Sequence, residues 1–341
     1  MKDRVQAADP KRSITFCYRG FAANFGTRHM VASILEQAGH AVKQIKDGPA
    51  DFSVDSVVWI WGNANWYPGL YAQLTAMPRT QRPLVVLWHT EPLPLPRAAG
   101  LPWPRLNWWE TAKFVLRDSN ATDVYTNYLV LRRWLKQGIP DVLVAATLGR
   151  CGFLSERGIA SDWVPLGYEP SYGRDLGLSR EIDVLFLGAQ DVPRRNRLLR
   201  GLRKKGIQIE AVGSYVDPSC WGEERTKLLN RTKILLNLAR TPGEFPDLCL
   251  ILGMANKALV LSEPIYQPDP FVAGRHFVSS SIGEMPETIR YYLAHETERV
   301  VISERAHRLI TQDLTMEGSV RRILDLISLR ANQRAVVESA I

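Results

Sequence analysis

The chain has 341 residues, 45% apolar and 23% charged, and 43 Lys and Arg stand against 35 Asp and Glu for a formal net charge of +8. That length accommodates two ordinary domains, and the composition is globular rather than disordered or fibrous. No apolar run approaches the roughly 20 residues that a bilayer-spanning helix needs. The four cysteines, Cys17, Cys151, Cys220 and Cys249, lack the CxxC spacing of a zinc or redox pair. The charged opening MKDRVQAADPKRS has no apolar core of a secretory leader, so a cytoplasmic protein with reduced, mostly buried thiols is expected.

The first half alternates strand and helix. SITFCYR (13–19) is a strand-length apolar run, followed by a polar, glycine-bearing turn from Gly20 to Gly26. Residues 28–38 have helical spacing, with Gly39 placed as a helix-terminating glycine. Strands are expected at 41–45, 56–61 and 84–88, a fifth beginning at 123–125, and a helix at 129–137. Residues 92–109, PLPLPRAAGLPWPRLNWW, are too rich in proline for continuous helix. Trp163 to Gly167 reads as a last short strand, and SYGRDLGLSRE (171–181) as a linker. A second series of strands follows at 183–187, 209–212, 234–238, 259–261 and 276–278. A helix is expected at 248–255 and another at 317–330. Apolar strands separated by helical segments argue for parallel, doubly wound sheets.

Basic residues concentrate in LRRWLKQG (131–138) and RRNRLLRGLRKKG (194–206), both with amphipathic helical spacing. Aromatic residues are not interleaved with them as a nucleic-acid stacking platform requires. Phosphorylated ligands or an anionic membrane surface therefore fit the charge better than nucleic acid. Thr232 to Pro264 reads as strand, polar loop, helix, strand, with Glu244 in the loop before a helix start. Loops at the carboxyl ends of strands line the crevice of an open α/β sheet, and free N–H groups at a helix start favour phosphate.

Two successive Rossmann-like halves without GxGxxG resemble the GT-B glycosyltransferases. GTRHMVASILEQAGHAV (26–42), WVPLGYEP (163–170) and DVLFLG (183–188) resemble stretches of family 4, also called group 1. KILLNLA (233–239), MANKALVLSE (254–263), PFVAGRHFV (270–278) and ERAHRLITQDLT (304–315) resemble the bacterial glycosyltransferases grouped with the spore-maturation protein CgeB. The resemblance spans nearly the whole chain and is firmest over 183–315. It implies two Rossmann-like domains facing a central cleft: an acceptor-side domain at 1–168, a donor domain at 169–315, and a helical tail at 316–341 that packs back on the first domain.

The resemblance also implies roles. His89, at the end of the 84–88 strand, and Glu244 would act at the reacting centre. Arg194, Arg195, Lys233, Arg240 and Gly188 would hold the donor diphosphate, and the loop bounded by Gly20 and Gly26 would approach it from the first domain. Glu91, Trp103 and Trp108 are acceptor-side candidates. The family carries a second glutamate eight positions after the first, where this chain has Leu252. No DxD carboxylate pair is present to hold a metal, so cations and helix dipoles are expected to stabilise the leaving diphosphate, with no cofactor. The expected activity is transfer of a sugar, with retention, from a nucleotide diphosphate sugar to a glycan, lipid-linked or small-molecule acceptor. Peripheral contact with the inner face of a membrane through the basic helices is part of that expectation. The alternatives are a sugar-nucleotide epimerase of the same fold and a non-catalytic binding domain. A nicotinamide dehydrogenase is disfavoured, because neither half has GxGxxG with a downstream acid.

Overall fold

Two parallel sheets, one from each half of the chain, organise the computed structural model, which describes residues 11–19, 26–119, 121–190, 192–213 and 220–339. The first sheet is built from β1 (Ser13–Cys17), β2 (Ala41–Ile45), β3 (Val57–Trp61), β4 (Leu84–His89), β5 (Val142–Ala145) and β6 (Asp162–Trp163), in the order β2-β1-β3-β4-β5-β6. The second contains β7 (Ile182–Leu187), β8 (Glu210–Val212), β9 (Thr232–Asn237), β10 (Leu259–Ser262) and β11 (Val278–Ser279), ordered β11-β10-β9-β7-β8. Every pairing is parallel. In each sheet the chain first steps one way and then reverses, so there is a switch point between β1 and β3 and another between β7 and β9. Loops at such a point part to opposite faces and leave a crevice outside the carboxyl ends of the strands.

Helices cover the sheets. In the first half these are α1 (Thr27–Gln37), α2 (Pro68–Ala76), α3 (Trp108–Val115), α4 (Val124–Leu135) and α5 (Leu148–Ser155). The second half adds α6 (Pro193–Lys204), α7 (Gly222–Asn230), α8 (Asp247–Ala255), α9 (Met285–Ala294), α10 (Glu296–Arg308) and α11 (Met316–Ser339). β3 and β4 are buried along their whole length, as near-continuous apolar strands between two helical layers must be. Trp88 of β4 packs against both Trp59 and Trp61 of β3, with centroids of Trp61 and Trp88 4.5 Å apart.

Two expectations fail in the first half, one of them because the strand expected at 163–167 is only Asp162–Trp163. Residues 123–125 open a helix rather than a strand, and the fifth strand lies at Val142–Ala145. Asp123 decides this: its carboxylate accepts the backbone N–H of Tyr125 and Thr126, while Thr126 Oγ1 accepts the Asp123 N–H. That reciprocal cap fixes a helix start and outweighs the apolar look of the run behind it.

The halves are tied by chain crossings. The chain after β6 passes beside the segment that leads into α11, where Tyr168 N–H donates to Leu314 O and Met316 N–H to Tyr168 O, each at 2.8 Å. Gly167 lies at this crossing, and a Cβ there would fall 2.3 Å from the Thr315 carbonyl oxygen. The α11 helix then lies against α1 and the first sheet. Its Val320, Ile323 and Ile327 are fully buried in a core cluster with Ile14 and Val31, and Ser319 Oγ donates to Pro165 O.

Candidate active site

A cavity of about 290 Å³ opens at the switch point of the second sheet. Its rim comes from the ends of β7 and β8: Leu187, Gly188 and Ala189 on one side, Gly213 on the other. Gly188 and Gly213 both have φ near +155°, and a Cβ on Gly213 would lie 2.1 Å from the Gly188 carbonyl oxygen. Two glycines are therefore required for the two loops to meet at this rim. Trp221 and Cys220 form one wall, and Leu235, Leu248, Cys249 and Leu252 an apolar one. Three guanidinium groups line the same space: Arg195, Arg225 and Arg240.

Each arginine comes from a different element. Arg195 stands in the first turn of α6, donates through Nε to Leu238 O at 2.7 Å, and lies over the Phe186 ring. Arg240 follows β9. Arg225 is almost wholly buried on α7, and its Nη2 donates to the Ser171 carbonyl of the linker at 2.5 Å. Burial pulls the Arg225 guanidinium down to about 10, so it keeps its charge at neutral pH. Three cations on an otherwise apolar cavity suit a compact polyanion, since guanidinium groups bind phosphate oxygens bidentately.

Arg194 is engaged elsewhere. Its Nη1 donates to Glu263 Oε1 at 2.7 Å and to the Ala239 carbonyl at 2.8 Å, and its Nη2 binds the other Glu263 oxygen. Glu263 Oε1 also accepts the Ala239 N–H. The pair clamps α6 to the segment after β9 and so positions its neighbour Arg195. Lys233 is not brought to the cavity: it pairs with Asp183 at 2.6 Å. Both residues are second in their strands, at the amino end of the sheet, whereas the cavity is at the carboxyl end.

A seam between the two halves adjoins the cavity. His89, the last residue of β4, is fully buried, and neither ring nitrogen makes a hydrogen bond. Burial, reinforced by the Arg150 charge, pulls its pKa down to about 3, so the imidazole is neutral at physiological pH. Glu91 is densely surrounded by protein yet keeps some exposure. Burial pushes its carboxyl up to about 7; Arg150 and Arg240 oppose the shift, and Asp247 and Glu244 add to it. Arg150, near the start of α5, crosses to the second half and pairs with Asp247, the first residue of α8, at 3.3 Å. Glu244 is half-buried in the loop before α8, and its carboxylate accepts the Thr241 N–H. Arg240 is common to both places, lining the cavity and acting on Glu91.

The remaining sequence candidates are dispersed. Gly26 precedes α1 and donates its N–H to Ser171 Oγ at 2.7 Å; Gly20 lies outside the described residues. Trp103 and Trp108 are exposed. Sequence reasoning missed Arg150, Arg225, Trp221, Asp247 and Glu263. The acidic first turn in GEERTKLLN marks a helix start that places Arg225 one turn in. Arg150 follows β5 at Val142–Ala145, where the sequence pattern alone does not predict a strand.

Residues 194–325 match a family model described as glycosyl transferase-like. That match spans 132 of the 341 residues, most of the second half of the chain. A search of curated protein sequences gives no match. Among solved structures, TarM is 13% identical with a TM-score of 0.56 over 80% of this chain, which spans only 55% of TarM. Sucrose-phosphate synthase from Thermosynechococcus elongatus gives a TM-score of 0.59 at 11% identity, covering 93% of this chain and 98% of that one. HepE of Anabaena, solved with UDP and glucose, gives 0.57 at 9% identity, covering 93% and 99%. At such identities these likenesses establish the GT-B fold alone. The 194–325 match contains the cavity arginines Arg195, Arg225 and Arg240 but not His89, Glu91 or Arg150. Among the described residues no helix is long and apolar enough to cross a membrane.

Proposed function

We propose that this chain is a group 1 glycosyltransferase that takes a nucleotide diphosphate sugar in the cavity between β7 and β9 and transfers its sugar to an acceptor held by the first domain. The observation that carries this reading is the convergence of Arg195, Arg225 and Arg240 on one cavity at a sheet switch point. In this account the diphosphate lies among the three guanidinium groups and the nucleoside extends towards Trp221 and the apolar wall. The sugar then faces the seam, because Arg240 links the two.

Departure of the diphosphate develops negative charge on the bridging oxygen, and fixed cations stabilise that charge without reorganising. The arginines fill this role in a metal-independent reaction. Glu244 orients the sugar, and neutral His89 serves as a hydrogen-bonding partner rather than a cation. Glu91, with a pKa near 7, is suited to exchange a proton with an acceptor hydroxyl. Leu252 leaves the apolar wall without a carboxylate at the family's second glutamate position, so ribose hydroxyls are not recognised from that side. Retention of configuration, a glycan, lipid-linked or small-molecule acceptor, and peripheral membrane contact complete the reading.

The test is a turnover assay for nucleoside diphosphate release from UDP-, GDP-, dTDP- and CMP-sugars, with a chelator and with metal, with and without an acceptor panel. CMP-sugars serve as the monophosphate control. Acceptor-dependent release with chelator present supports the reading. Conversion of a donor to an isomer without acceptor would indicate an epimerase, and binding without any turnover a non-catalytic domain.

A further inference from the structure

Helix α3 is turned inside out. Its most exposed positions are Trp108 and Trp109, 76% and 70% exposed, Ala112, and Val115 and Leu116, 71% and 80% exposed. These fall at i, i+1, i+4, i+7 and i+8, one continuous stripe of a 3.6-residue helix. The stripe is wholly apolar and faces solvent, and the helix has no buried residue. A soluble helix orients the other way, because burying such side chains is what stabilises it. Its one acid, Glu110, is turned inward, where it pairs with Lys113 and accepts the Thr122 N–H. Leu101, Trp103 and Leu106 extend the apolar surface at 38–44% exposure.

Cations border this surface. Lys113 lies over the Trp109 ring at 5.9 Å and Arg133 over Phe114 at 4.9 Å. Arg105, Arg117 and Arg132 are exposed nearby in sequence. Residues 97–136 carry seven Arg and Lys against three Asp and Glu. The segment leading into α3 crosses the seam: a Cβ on Gly243, in the loop before α8, would meet Leu101 and Leu95. It is also anchored to α4, where Tyr125 donates its hydroxyl proton to Pro104 O at 2.6 Å. The apolar face therefore emerges at the rim of the seam, on the half that holds the acceptor in the proposed function.

We infer that α3 docks this enzyme on an anionic lipid surface, with Trp108, Trp109, Val115 and Leu116 entering the headgroup region and the surrounding Arg and Lys contacting lipid phosphates. Tryptophan rings beside cations match the interface between headgroups and acyl chains, and a basic border selects anionic lipid. A second copy of the chain would have to seat an apolar stripe against its own ring of like charge, which disfavours self-association. This deepens the proposed function by placing the acceptor side of the seam at a membrane. It goes beyond contact through basic helices alone, because the apolar stripe is the inserting element.

The test is co-flotation of the full chain with phosphatidylcholine vesicles and with vesicles containing phosphatidylglycerol, while tryptophan emission is followed. Binding to the anionic vesicles with a blue shift is expected, with little binding to neutral ones. A Trp108→Glu, Trp109→Glu variant should lose anionic binding at least about tenfold, with unchanged melting temperature and unchanged nucleotide-sugar binding. Those two readouts separate failure of docking from failure of the donor site. No anionic binding by the wild type, or equal binding by the variant, overturns the proposal. So does a concentration-dependent dimer in light scattering that the variant abolishes, which would assign the stripe to a second copy.

Discussion

Arg194 and Arg195 are adjacent in sequence but do different work. Arg195 lines the cavity, and Arg194 neutralises Glu263, whose side chain is 5% exposed. Removing Arg194 leaves that carboxylate buried without its cation, so Arg194→Ala should destabilise the fold by about 3 kcal/mol, read by urea denaturation. Arg195→Ala should cost far less stability and mainly weaken donor binding. Glu91 gives a pH prediction. Its folded pKa, near 7, lies above its ordinary 4.5, so the folded state binds its proton more tightly. That contribution is fully present below about pH 4.5 and is lost as pH rises through 7. Melting temperature should therefore fall more between pH 5 and 7.5 in the wild type than in Glu91→Gln; equal slopes would contradict the assignment. His89 has the opposite sign: its pKa is depressed, so its contribution is lost as pH falls below about 6.5.

At the scale of elements, local chemistry decided what was legible. Strands β3, β4 and β7 are short, largely buried apolar runs, and their positions follow from sequence within a residue or two. The start of helix α4 is not legible because its first residues, Val124 and Tyr125, have strand character, while the Asp123 cap that fixes it is a two-residue device. Helix α3 was hidden in a proline-rich stretch whose prolines end at Pro104, three residues before its Asn107 cap. The cavity was only partly legible. Gly188, Arg195 and Arg240 follow strands that could be recognised, whereas Arg225 comes from a helix whose approach depends on tertiary packing. Leu252 of α8 forms part of the apolar wall and is 8% exposed. Leu252→Glu should destabilise by roughly 1–3 kcal/mol, because a carboxylate is forced into that wall. In the proposed site it should also raise the preference for a ribonucleotide over its 2′-deoxy counterpart, measured by competitive binding.

Across the whole molecule the two halves behave as one packed body. A single core cluster runs from Ile14 and Val31 through Tyr172 to Leu250 and Ile327. The tail helix depends on this: Ile323→Ala should cost roughly 2–5 kcal/mol by opening a cavity beneath it, seen as one lowered transition rather than loss of a separate domain. Gly167→Ala, at the chain crossing, should cost roughly 1–3 kcal/mol by overpacking. The Arg150–Asp247 pair joins the two halves at the seam, and the Arg225–Ser171 contact ties the cavity to the linker, so the site is a property of the assembled halves. The central claim is that three arginines at the β7–β9 switch point hold a nucleotide diphosphate sugar. It is tested most directly by calorimetric titration of UDP-, GDP-, dTDP- and CMP-sugars into the wild type and into an Arg195→Ala, Arg240→Ala variant, with chelator present. The account predicts saturable binding of at least one diphosphate donor and a loss of at least about a hundredfold in the variant. Absence of binding by every diphosphate donor, or equal affinity in the variant, would contradict it.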